Sequence, residues 1–117
     1  DFYESFSELP IIIELKTAKG LIAIVHSQIV GTYYDDFKKE LLSNDKKQSD
    51  RMLDVALWSK DRILKLQSNN IVGVHAVVSG HTSVDEPTIL GNHYFIDTGA
   101  CYGGNFTLLN TKTMEFF

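Results

Sequence analysis

Leu21-Ile22-Ala23-Ile24-Val25-His26 is apolar for five residues and ends on an imidazole. Branched side chains at that density favour extended backbone, and an apolar run without alternation predicts a strand covered on both faces. Just upstream, Ile11-Ile12-Ile13-Glu14-Leu15-Lys16 is a second β-like run. Thr17-Ala18-Lys19-Gly20 between them has turn chemistry, so the pair predicts a hairpin. The segment from Phe2 to Leu9 is short and stops at Pro10, beyond which no helix continues. Downstream, Asp35-Asp36-Phe37-Lys38-Lys39-Glu40-Leu41-Leu42 puts Phe37 and Leu41 at i, i+4 and predicts a helix ending near Ser43-Asn44. Asp45-Lys46-Lys47-Gln48 reads as a solvated link, after which Ser49 or Asp50 caps a second helix. Met52, Leu53, Ala56 and Leu57 form its apolar face, with Ile63, Leu64 and Leu66 continuing after Asp61. Val74 to Ser79 predicts a strand. Thr88-Ile89-Leu90 and His93 to Asp97 predict a hairpin about Gly91-Asn92, and Phe106 to Asn110 with Met114 to Phe117 predict another. Strands, then helices, then strands give an α+β or layered α/β architecture, mostly β with two helices in the middle, as one domain over residues 1–117.

Composition excludes several classes. Eleven basic against fifteen acidic side chains in 117 residues leave a net charge of −4, so neither nucleic acid nor a membrane is an expected partner. A hydrophobic content of 44% and a charged content of 22% argue against disorder. The single cysteine, Cys101, closes no internal disulfide, and no apolar run reaches the ~20 residues of a membrane helix. The sequence opens on Asp1 with neither methionine nor a signal-peptide pattern, so it is expected to be a piece of a longer, cytoplasmic protein.

Two of the four histidines share a placement. His26 ends one buried run, and His81 lies just beyond Val77-Val78-Ser79-Gly80. In layered α/β folds reactive groups collect where buried strands end, and imidazole is a ligand for Mn, Fe or Zn. An ordinary hydrogen-bonded histidine explains each placement about as well, and for His75 and His93, inside strands, that reading is favoured. Gly80 is expected to supply a backbone conformation that aims His81 out of the sheet. In Trp58-Ser59-Lys60-Asp61-Arg62, Lys60 or Arg62 could hold a phosphate oxygen, Arg62 by a bidentate fork. The alternative is an exposed charged turn with Trp58 packed beneath it. Ile96 to Gly104 reads as a strand running into a glycine-rich bend, and Cys101, with no basic neighbour, as packing.

These pieces in this order resemble the metallophosphoesterases of the phosphoprotein phosphatase superfamily, and most closely the bacterial and phage lambda-type serine/threonine protein phosphatases. The resemblance runs through Leu9-Pro10-Ile11-Ile12-Ile13-Glu14, Ile24-Val25-His26, Trp58 to Ile63, Ser79-Gly80-His81-Thr82, Tyr94 to Ala100 and Asn105 to Leu108. It implies the C-terminal half of a four-layer α/β/β/α sandwich. It also implies that His26 and His81 are ligands to one metal of a pair of divalent ions, Mn foremost with Fe or Zn as alternatives. Where the family has tryptophan-x-arginine, this chain has Lys60, with Arg62 two residues on, so phosphate binding falls to Lys60 and Arg62. Gly80, Thr82 and Asp97 are implied in loop geometry or in hydrogen bonds behind the ligands. The family's N-terminal aspartate-x-histidine, aspartate-arginine-glycine and asparagine-histidine-glutamate motifs are not found in these residues, and no catalytic residue of that set is expected here.

The function that the resemblance implies is hydrolysis of phosphoserine or phosphothreonine in proteins by metal-activated water, with this chain alone inactive. The expected partners are a phosphorylated protein and either the missing N-terminal half or a second copy, through uncovered sheet faces. A dinucleoside-tetraphosphate hydrolase is the nearest alternative, disfavoured by Thr82 where those enzymes tend to have tryptophan. A non-catalytic module that kept the fold is the other.

Overall fold

The computed structural model describes residues 1–117. Phe2–Ser7 forms a short helix, α1, capped by the Asp1 carboxylate on the Tyr3 amide, with none of its side chains buried. Ile12–Thr17 (β1) and Gly20–Val25 (β2) pair antiparallel, Ile12 opposite Val25 and Thr17 opposite Gly20, so the hairpin stands as the sequence predicts. The chain then crosses through Tyr34–Leu41 (α2), Lys46–Trp58 (α3) and Asp61–Leu64 (α4). It returns as Ala76–Ser79 (β3), parallel to β2. Thr88–Leu90 (β4) and His93–Phe95 (β5) complete a mixed five-stranded sheet in the order β1-β2-β3-β5-β4. β5 is parallel to β3, and β4 is antiparallel to β5. Leu109–Asn110 (β6) and Glu115–Phe116 (β7) make a separate small hairpin. The architecture is α+β.

One face of the sheet carries the helices. Ala23, Val25 and Val77 from the strands meet Tyr34, Phe37, Met52 and Ala56 from α2 and α3, with Ile29 and Ile71 in the flanking loops. Each large aliphatic or aromatic side chain buried there contributes about 1.5–3 kcal/mol. Glu14 on β1 accepts hydrogen bonds from Tyr34 and Lys38, which ties α2 to the edge strand. The Lys38 ammonium and the Tyr34 hydroxyl hold the Glu14 carboxyl below its ordinary value. The opposite face is a continuous apolar row in register across all five strands: Ile13, Ile24, Val78, Tyr94, Ile89. Leu109 and Met114 cover its middle. Its flanks are open, with Ile13 at 52% and Ile89 at 47% exposure.

Several expectations need correcting. α3 starts at Lys46, and its cap is Asp45, whose carboxylate accepts from the Lys47 and Gln48 amides, rather than Ser49 or Asp50. Lysine is a good helix former, so the supposed link is the exposed first turn of the helix. The helical region holds three helices, not two, because Ser59 at φ −67°, ψ 136° breaks it before α4. Helical residues outnumber strand residues, so the chain is not mostly β. Beyond β5 the expected strand gives way at once, and Ala100–Tyr102 is a turn of 3-10 helix between two left-handed glycines.

Candidate metal centre

β2, β3 and β5 are parallel neighbours, so their C-terminal ends share one edge of the sheet. His26 follows β2, Gly80-His81 follows β3, and Asp97 stands two residues past β5. The Gly80 amide donates to the His26 carbonyl at 3.0 Å, which carries the β2–β3 pairing one step beyond the strands. The chain then reverses sharply, as Thr82 N–H donates to Gly80 O at 2.8 Å around His81 at φ +66°. A left-handed L-residue costs about 1–2 kcal/mol, and a three-residue turn of this kind is rare. The strained residue is therefore His81 itself, which corrects the role expected of Gly80: a β-carbon at Gly80 would only touch the Asp97 Cβ at 3.5 Å.

The turn brings two imidazoles together that are 55 residues apart in sequence. His26 Nε2 lies 3.0 Å from His81 Nδ1, with ring centroids 4.8 Å apart and planes tilted by 59°. Two nitrogens each about 2.1 Å from one ion, at right angles, lie about 3.0 Å apart, so the pair has the bite of two adjacent ligands. A hydrogen bond between the rings gives the same distance. Burial, followed by the charges of His26 and Lys60, holds His81 below its ordinary value, with Asp97 pulling the other way. That favours the neutral imidazole a metal requires. No group of three or more histidine, cysteine, aspartate or glutamate side chains is arranged to hold an ion. The residues present therefore fit a metal as part of a ligand set.

The surroundings divide the other candidates. Lys60 is exposed at the start of α4, close enough for its charge to act on His81. Arg62 is 2% exposed and points inward. Its Nη1 donates to Gln67 O and Asn69 O at 2.9 and 3.0 Å, and its Nη2 to Asn69 Oδ1 at 3.4 Å. Thr82 is half-buried. Asp97, also half-buried, accepts from the Gly99 amide at 3.0 Å and from the Val84 amide through its carbonyl. Trp58 is 67% exposed rather than packed beneath the turn, and its ring stands edge-on to His81 at 5.8 Å.

Two contributors escape a reading of the sequence. Ser27 and Gln28, directly after His26, are buried. The Ser27 hydroxyl donates to Ser59 O, its amide donates to Ala56 O, and Gln28 Oε1 accepts from the Arg62 amide at 2.9 Å. They clamp the His26 loop to the α3–α4 junction. A polar pair following an apolar run looks like surface, and only the tertiary fold places it inside.

No protein-family model matches the chain. It is similar to serine/threonine-protein phosphatase 2 of Salmonella typhimurium, with 34% identity over 111 residues, covering 92% of this chain and 46% of that protein. It is also similar to serine/threonine-protein phosphatase 1 of the same organism, with 29% identity over 100 residues, covering 86% of this chain and 41% of that one. The chain spans less than half the length of these curated relatives. No helix is long and apolar enough to cross a membrane.

Proposed function

We propose that this chain supplies the His26–His81 part of the active centre of a metal-dependent serine/threonine protein phosphatase. The carrying observation is the pair of imidazole nitrogens 3.0 Å apart at the ends of adjacent parallel strands. The similarity to two bacterial phosphatases gives that pair its chemical context. When bound, the two divalent ions, Mn foremost, supply Lewis-acid polarisation of the phosphoryl group and activation of a water for attack. His26 Nε2 and His81 Nδ1 would hold one ion, and Lys60 would draw the phosphate oxygens as a point charge. With its terminal nitrogens engaged by Gln67 and Asn69, Arg62 takes a supporting part and leaves Lys60 as the phosphate cation. The remaining ligands come from outside these residues, so the chain by itself is inactive. The substrate is a phosphorylated protein, and the uncovered apolar row is where the rest of a four-layer sandwich, or a second copy, seats.

Calorimetric titration of the chain with Mn²⁺, beside His26→Ala and His81→Ala, tests this. Weak binding lost in both variants is expected. Tight binding of two ions, or binding untouched by either substitution, overturns the reading. In the protein encoded by the complete reading frame, His81→Ala should lower turnover of a phosphoserine peptide by about 100-fold or more.

A further inference from the structure

We propose that the buried Ser79–His93 pair sets the position of His81; this rests on reading His26 and His81 as the metal centre, and makes Ser79 and His93 positioning residues for it. His93 is 0% exposed, on the helix-facing side of β5, with its ring stacked on Phe95 at 4.7 Å and 8°. Its Nε2 is 2.9 Å from Ser79 Oγ, whereas its Nδ1 has no hydrogen-bond partner. A buried imidazole with a bare nitrogen is a costly occupant of a site beside a phenyl ring, where an apolar side chain would pack without penalty. The hydrogen bond to Ser79 is what the imidazole provides and an apolar residue could not.

Ser79 is the last residue of β3 and directly precedes Gly80-His81. It is held at two points: its hydroxyl by His93 and its carbonyl by the Ile96 amide at 2.9 Å. The next amide, at Gly80, is held by the His26 carbonyl. Strained backbone persists only where its surroundings over-determine it, and His81 at φ +66° begins where these restraints end. Arg62 closes the arrangement from the helix layer. Its charge acts on His93, its Nε is the other buried side-chain atom without a partner, and its amide is bound by Gln28 of the His26 loop. Arg62 thus binds the Asn69 carbonyl and, through its amide, Gln28 beside His26, while His93 holds Ser79 beside His81.

The test compares Ser79→Ala, His93→Leu and His93→Gln in the 117-residue chain. The contact between the His26 and His81 rings is followed by imidazole NMR, and Zn²⁺ binding by the fluorescence of Trp58. Ser79→Ala and His93→Leu should lose the ring-to-ring nuclear Overhauser effect and weaken Zn²⁺ binding about tenfold or more with far-UV circular dichroism unchanged. His93→Gln, which can still reach the hydroxyl, should stay within about threefold of the parent. If Ser79→Ala keeps both the ring contact and the affinity, or His93→Gln falls as far as His93→Leu, the proposal is overturned. Should His93→Leu not fold, Ser79→Ala decides alone, since it removes one hydroxyl and no packing. If the parent chain binds no Zn²⁺, the metal reading fails while the ring contact still judges the positioning.

Discussion

His81 and His93 both titrate below the ordinary histidine range, in each case because of burial first. Their consequences differ. His93 is pushed down to about 3 by burial and then by the Arg62 charge. The unfolded chain therefore takes up this proton first, near pH 6.5, and the native state takes it up only near pH 3. Stability from the neutral imidazole is complete above about 6.5 and is lost as pH falls toward about 3, on the order of 5 kcal/mol across the whole window. Urea unfolding at pH 7 and pH 4.5 should show a steep fall for the parent and a shallower one for His93→Gln; equal slopes would remove His93 as a source of acid sensitivity. The sequence marks His26 and His81 because each follows an apolar run. It reads His93 as an ordinary hydrogen-bonded histidine in a strand, which the structure bears out. It does not give its partner Ser79, 14 residues away across the sheet, nor the inward turn of Arg62, since arginine in Asp61-Arg62-Ile63-Leu64 looks like an exposed face.

At the scale of elements, the crossover between β2 and β3 depends on how its helices start and stop. α3 has one side-chain cap, Asp45, serving two otherwise unpaired amides. Asp45→Ala should destabilise the chain by about 1 kcal/mol in chemical denaturation, whereas Ser49→Ala, inside the helix, should cost less than half of that. Equal effects would mean that the helix begins where the sequence alone suggests. The hairpin β1–β2 was legible because turn chemistry and branched residues agree there. The helix start was not, since Asp45, Ser49 and Asp50 are all competent caps and only packing of Met52 and Ala56 selects the register. The bend after Ser59 was hidden for a related reason. No proline or glycine announces it, and the hydroxyl and amide of Ser27 impose it from another part of the chain.

For the whole molecule, the apolar row from Ile13 to Ile89 is the surface from which self-association is predicted. A sheet face with open flanks and an unpaired edge strand, β1, favours association. Light scattering at micromolar concentration should find the chain larger than a monomer. The double variant Ile13→Lys with Ile89→Lys should shift it toward monomer; a monomeric parent would show that the row is tolerated in water. The two-sided burial of β2 was legible in its unbroken apolar run; the open row was expected only from the family resemblance, because nothing local to Ile13 or Ile89 distinguishes a covered face from an uncovered one. One further consequence concerns time. The two imidazoles, 55 residues apart, meet only when β3 has paired with β2 across the helical crossover, a longer loop closure than either β1–β2 or β4–β5 requires, and so a slower step. Trp58, the only tryptophan, stands edge-on to His81 at that junction. Its emission should therefore act as a clock for the last stage of folding, lagging the helical signal in a stopped-flow experiment by the interval the chain needs to complete the crossover.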